Sequence, residues 1–192
     1  MKEQYEKEFI KFQKAHPFEK DIKITRYRFK WVLGKVKGLQ GNSLDVGCND
    51  GVLAHKMHGE GFSVHGIDVS DNAIEACESN VPAGKFIQAF ADEEIPFPSN
   101  HFSTVTCLEI IEHVKNPDKL LQELLRVTKQ GGVLLITVPV GEAYNHPTHL
   151  RYFDFYSLGK LIEQYIDDFK ICRIYKDIPT GERLLWAVEV RK

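Results

Sequence analysis

The sequence predicts an α/β protein: a doubly wound, mostly parallel sheet of seven strands, flanked by helices, with an antiparallel last strand. Three observations carry this. From Ser43 onward, short apolar stretches alternate with segments of helical period, the rhythm of a parallel sheet whose crossovers are helices. The stretch "VLLITV" is apolar throughout, as a strand covered on both faces must be. The last two strand-like stretches, roughly Lys170 to Lys176 and Leu184 to Arg191, have no helix between them. So short a connection joins antiparallel neighbours.

The elements follow in order. Tyr5, Phe9 and Phe12 share a helical face, His16-Pro17 interrupts it, and Ile22, Phe29, Leu33 and Val36 mark a second helix. Residues 1–40 thus read as a helical segment ahead of a domain spanning 41–192. "SLDVG" is the first strand and Gly51 begins a helix. "FSVHGID" is the second strand, followed by a helix over Asp71 to Ser79. "KFIQAF" and "STVTCL" are the third and fourth strands. The next helix has Asn116 as N-cap, Pro117 at its first position and an apolar face of Leu120, Leu121, Leu124 and Val127. Gly131-Gly132 is expected to end it. "VLLITV" is the fifth strand, and a helix near Phe155 to Tyr165 precedes the closing pair.

Composition narrows the classes. The chain has 192 residues, 43% of them hydrophobic and 27% charged, with a net charge of −2. That describes one globular domain with a real core and argues against a dedicated polyanion binder. Six basic residues and no acidic one lie between Ile22 and Lys37. With Tyr27, Phe29 and Trp31 interleaved, this run reads as the solvated face of an amphipathic helix, and phosphate contact is the lesser reading. The four cysteines (Cys48, Cys77, Cys107, Cys172) form no C-x-x-C pair, which points to free thiols in a reduced, cytoplasmic compartment. No apolar run reaches membrane-spanning length, and the charged N-terminus does not read as a signal peptide.

The chemistry should lie where the first strand meets its helix, in "LDVGCNDGVL". The spacing Asp45-x-Gly47-x-Asn49-x-Gly51 lets the backbone turn sharply and lets a ligand lie against it. Asn49 stands where a middle glycine is often found, and Asn tolerates left-handed backbone. The second strand ends in Asp68, a carboxylate placed to take both hydroxyls of a ribose. A dinucleotide site normally has G-x-G-x-x-G, since pyrophosphate must approach a helix N-terminus closely. Here Asn49 and Val52 break that pattern, and Asp45 is of the wrong sign for pyrophosphate but suits a cationic ligand.

With these stretches in view, "LDVGCNDGVL", "GIDVS", "ADEEIPFPSNHFSTVTCLEIIEHV" and "LLRVTKQGGVLLITVP" resemble successive motifs of the class I S-adenosylmethionine-dependent methyltransferases, over residues 40 to 165. The resemblance implies a Rossmann-like seven-stranded sheet, S-adenosylmethionine as cofactor and S-adenosylhomocysteine as product. It also implies that the helical residues 1–40 form a lid over the acceptor pocket, and it implies roles by position. Asp45 and the loop of Gly47, Cys48, Asn49 and Gly51 would hold the methionine part. Asp68 would bind the ribose and Val69 would pack on the adenine. In "FADEE" the adenine amino group would fall to Asp92. Leu108 and Glu109 would face the sulfonium and the acceptor.

One stretch remains, "LEIIEHVKNP". Glu109, Glu112 and His113 have i, i+3, i+4 spacing and would share a face if the turn were helical. Two carboxylates and an imidazole, with a histidine from the segment "VPVGEAYNHPTHLRYF" (His146 or His149), could hold a divalent metal. Small-RNA ribose 2′-O-methyltransferases show a similar arrangement. Ubiquinone-pathway O-methyltransferases resemble this stretch too, including "HLRYF". Acid/base or structural use of Glu112 and His113 ranks ahead of a metal, with either His113 or His149 as the base. The expectation is therefore methyl transfer to oxygen of a small-molecule acceptor by a monomer or homodimer. Metal-assisted methylation of RNA ribose is the alternative.

Overall fold

The computed structural model describes Lys7, Lys11 and residues 27–141, 148–175 and 184–192. Helix α1 (Tyr27–Val36) leads into β1 (Gly41–Val46), α2 (Val52–Gly59), β2 (Phe62–Asp68), α3 (Asp71–Asn80), β3 (Lys85–Gln88) and β4 (Phe102–Leu108). Then come α4 (Pro117–Val127), β5 (Thr128–Pro139), α5 (Phe155–Glu163), β6 (Phe169–Tyr175) and β7 (Leu184–Arg191). The strands form one seven-stranded sheet in the order β3-β2-β1-β4-β5-β7-β6. β1 pairs in parallel with β2 and β4, and β7 runs antiparallel to both β5 and β6. The expected α/β sheet with its antiparallel last strand is what the chain forms.

The pleat of β5 explains its unbroken apolar run. Successive strand side chains point to opposite faces. Leu134 and Ile136 enter a core with Leu120, Leu121 and Leu124 of α4, while Val133 and Leu135 enter a second core with Phe29, Val32 and Val36 of α1. A strand with helices on both faces can carry no polar side. Each such buried aliphatic side chain contributes about 1.5–3 kcal/mol.

Helix α1 is thus seated in the core through its apolar face. Two of its basic residues are in ion pairs: Lys35 Nζ lies 2.6 Å from Glu189, and Arg28 pairs with Glu109. Most of the segment read as a lid, residues 1–26, lies outside the described residues apart from Lys7 and Lys11.

One expected boundary differs. Helix α4 begins as read, with the Asn116 side chain accepting from Lys119 N–H and Pro117 in the first turn. It ends at Val127 rather than at the Gly131-Gly132 pair. Thr128 is already extended, and its Oγ1 donates to Leu124 O at 2.6 Å, so a β-branched residue closes the helix. The glycines instead lie within β5, where Gly131 has φ +73° and donates to Lys192 O. The pairing of β4 with β5 shifts register just there, between Phe102 and Thr104.

Candidate active site

In the strand order, β1 and β4 are neighbours while the chain leaves β1 toward one edge and β4 toward the other. At such a switch point the connecting loops part and leave a crevice at the carboxyl ends of the strands. The motifs singled out in the sequence converge here.

Asp45 lies near the end of β1, buried, beside Thr106 on β4. Thr106 Oγ1 donates to Asp45 Oδ1 at 2.7 Å. Burial pushes the Asp45 carboxyl up to about 7; the Thr106 hydrogen bond opposes this, neighbouring Asp68 adds to it, and the Arg28 guanidinium lowers it. A buried acid in this condition favours a cation brought against it.

The loop after β1 is built on left-handed backbone: Gly47 has φ +78°, Asn49 φ +50° and Gly51 φ +85°. At Gly47 a Cβ would come within 2.1 Å of Ile110 Cδ1, so a side chain there would both strain the left-handed backbone and displace Ile110. Asn49 adopts the left-handed backbone its residue type tolerates. Its N–H donates to Asp68 Oδ2 at 3.0 Å, while Ser70 N–H donates to Asp68 Oδ1 at 3.0 Å. Asp68 therefore ties the first loop to the second strand end, and its carboxylate is fixed in orientation before any ligand arrives. Val69 follows, with its carbonyl accepting from Gln88 Nε2. Cys48 offers the crevice only backbone. Its thiol is buried 3.5 Å from Cys77 Sγ, and Cys77 donates to Asn49 O at 3.0 Å. Burial, with Cys77 alongside, raises the Cys48 thiol well above its ordinary range.

Leu108 ends β4, and Glu109 follows with φ +60°. A left-handed glutamate is costly and marks a position held by its surroundings. Its N–H donates to Thr137 O at 2.8 Å and its carboxylate lies 3.5 Å from Arg28 Nε, both side chains largely shielded from water. The helical turn that would align Glu109 with Glu112 and His113 does not form, because the left-handed residue breaks it and 111–113 make a plain turn. Glu109 faces Arg28, while Glu112, His113 and His149 are brought together, with a potential ligand atom from each within 4.8 Å of the others. His146 lies outside the described residues.

His113 Nδ1 is 3.1 Å from Thr148 O. A carbonyl can only accept, so Nδ1 carries the proton and, in the neutral ring, Nε2 carries the lone pair. That Nε2 lies 4.0 Å from buried Glu112 Oε1, and the His113 and His149 rings meet edge to face at 4.7 Å. The chemistry available is that of a base, or of a ligand, next to a carboxylate.

Asp92 has a backbone partner of its own. Its Oδ2 accepts from Lys115 N–H at 2.9 Å and Asn116 N–H at 3.1 Å, bracing the turn ahead of α4. Contact with an adenine amino group would fall to Oδ1. Two contributors were not singled out in the sequence: Thr106, which faces Asp45 only because β1 and β4 pair in that register, and Arg28, whose guanidinium reaches the crevice from α1.

Residues 44–136 match the family model described as a methyltransferase domain. A ubiquinone biosynthesis O-methyltransferase of Thiobacillus denitrificans is 33% identical over 113 residues, covering 57% of this chain and 49% of that protein. The chain spans about half the length of the curated relatives it matches. Among solved structures, a SAM-dependent methyltransferase from Archaeoglobus fulgidus superposes with a TM-score of 0.74 at 18% identity, covering 96% of this chain and 99% of that one. The [4+2]-cyclase SpnF is 25% identical with a TM-score of 0.62, over 75% of this chain and 58% of that one. With the Asp45 and Asp68 carboxylates flanking the left-handed loop at the switch point, residues 44–136 carry the features of the methyltransferase domain they match.

Proposed function

We propose that the chain transfers a methyl group from S-adenosylmethionine to an oxygen of a small-molecule acceptor. The observation that carries it is the pair of strand-end carboxylates, Asp45 and Asp68, on either side of the left-handed loop. Their donor set fits the cofactor. Asp45, raised by burial, suits the ammonium of the methionine part. Arg28, close by, suits its carboxylate. Asp68, oriented by two backbone N–H groups, suits the ribose hydroxyls. Val69 and Asp92 line the adenine end, and Leu108 and Glu109 face the reacting centre.

The cofactor supplies an already activated methyl group, so the chain's task is to hold the acceptor in line and exclude water. A hydroxyl acceptor also needs its proton removed. His113 Nε2, with Nδ1 tied to Thr148 O, is the base in this reading, and Glu112 beside it stabilises the imidazolium that results. His149, against the His113 ring, is the second candidate for the same duty. The curated relatives named as O-methyltransferases support oxygen as the acceptor atom, and nothing in the comparisons favours RNA. The SpnF likeness shows that this fold also serves ring formation, so transfer itself must be measured. We assign the chain to the cytoplasm from its free cysteines; no helix among the described residues is long and apolar enough to cross a membrane.

The test is calorimetric titration with S-adenosylhomocysteine, followed by transfer of labelled methyl from S-adenosylmethionine to a small-molecule extract. Asp68→Ala is expected to weaken S-adenosylhomocysteine by about 100-fold or more, the loss of charge-assisted bonds to two hydroxyls. Unchanged affinity would refute the site.

A second reading rests on the proximity of Glu112, His113 and His149. These three would hold a divalent ion, whose charge would then favour acceptors with two adjacent oxygens. Titration of metal-stripped protein with Mn²⁺ or Zn²⁺ decides it. Stoichiometric binding that is lost in His113→Ala and His149→Ala establishes the metal, and no binding leaves His113 as a base.

A further inference from the structure

We propose that Arg151 is a positioning residue for His113: its guanidinium grips the carbonyls of the 111–115 turn and so seats the segment whose Thr148 carbonyl fixes the imidazole. The inference rests on the reading of His113 as the base or ligand of this site. Residues 111–115 belong to neither helix nor strand, so no repeating ladder holds their backbone. Their bonds come instead from a segment some 35–40 residues further on. Arg151 Nη1 donates to Ile111 O at 3.0 Å and, in a short contact, to Val114 O, while Nη2 donates to Lys115 O at 3.1 Å. Next to it, Leu150 N–H donates to Glu112 O at 2.9 Å. Four of the turn's carbonyls are thus engaged by two adjacent residues. From the other side Asp92 takes the N–H groups of Lys115 and Asn116.

The residue type matters. A planar guanidinium offers five N–H groups in a rigid fork, so one side chain can span three carbonyls of a turn. Lysine carries the same charge as a compact point and cannot span them. The grip also docks Thr148, three residues before Arg151, so that its carbonyl accepts from His113 Nδ1. That single bond fixes the tautomer and leaves Nε2 unprotonated toward Glu112. None of these bonds involves Asp45, Asp68 or the left-handed loop; the turn meets the proposed cofactor pocket through Asp92, whose Oδ2 keeps its bonds to Lys115 and Asn116 N–H without Arg151.

The experiment uses the full chain carrying isotope-labelled histidine, recorded over a series of pH values that brings the ring to its neutral form. Nuclear magnetic resonance of the ring nitrogens reads the tautomer, and the His113 signals are identified by their loss in His113→Gln. The wild type is expected to show Nδ1 protonated. Arg151→Gln should shift His113 to the other tautomer or a mixture, and Arg151→Lys should recover only part of the wild-type state. S-adenosylhomocysteine binding should be retained in both, because Asp45, Asp68 and the left-handed loop make none of these bonds. A wild-type tautomer in Arg151→Gln overturns the proposal. So does loss of S-adenosylhomocysteine binding in both variants, which would make Arg151 a general structural residue. If the wild type itself does not bind S-adenosylhomocysteine, the proposed function fails, and the tautomer comparison still decides the role of Arg151.

Discussion

Asp45 gives the site its most direct pH dependence. Its carboxyl, raised to about 7, keeps a proton in the folded chain that it loses near 3.8 when unfolded. The folded state therefore binds more protons between those values, and this group's contribution to stability falls as pH rises from about 4 to 7, then stays level. Ligand affinity runs the other way, because an ammonium prefers the carboxylate. Affinity for S-adenosylhomocysteine is expected to weaken by about tenfold for each pH unit below 7. Titrations in buffers of different ionisation enthalpy should show about one proton released on binding at pH 6. Asp45→Asn should bind more weakly and lose the dependence. At this scale much was legible in the residues themselves. Asp45, Asn49 and Asp68 announce themselves by charge and spacing next to glycines. Thr106 and Arg28 carry no such signal, because each acquires its partner from another element.

At the scale of elements, α4 is anchored by its own face and by one buried carboxylate. Glu123 accepts from Ile95 N–H at 2.8 Å and from Arg126 Nη2 at 2.7 Å. The Arg126 hydrogen bond is the main cause that holds its carboxyl down at about 2, against burial, which acts to raise it. A folded value below the unfolded one stabilises above about 4.5, and the stabilisation is lost as pH falls toward 2. Glu123→Gln should therefore flatten the acid limb of the stability curve over that window, measured by denaturant unfolding at a series of pH values. The sign is opposite to that of Asp45, so the two variants distinguish the two groups. Element boundaries were legible where a residue has one strong habit, as with Asn116 and Pro117 at the start of α4. They were misread at Gly131-Gly132, because glycine serves a helix end and an irregular strand equally well.

For the whole molecule, the sheet order puts the ends of β1, β2 and β4 around one crevice, and ligand binding there must stabilise the entire fold. S-adenosylhomocysteine at about a hundred times its Kd should add about 2.7 kcal/mol to unfolding. NAD at the same concentration should add nothing, since the loop lacks the glycines that pyrophosphate requires. Stabilisation by NAD in thermal or denaturant unfolding would return the chain to the dinucleotide class.

The layered architecture is written in the local pattern, since an apolar run of strand length between helical segments has only a covered parallel sheet to enter. Charge and glycine spacing within one loop are local properties too, and they turn that loop away from pyrophosphate and toward a cationic ligand; the cofactor itself is what the likeness to the methyltransferase motifs implies. The placement of "EIIEH" depends instead on packing between distant segments. Its residues carry helical spacing, yet Glu109 is left-handed and turned to Arg28, while Glu112 and His113 are joined by His149 from beyond β5. The reason is physical: backbone conformation at a strand end is set by what packs against it. The bonds that orient His113, from Thr148 and Arg151, arrive through space from a segment whose position follows from the whole fold.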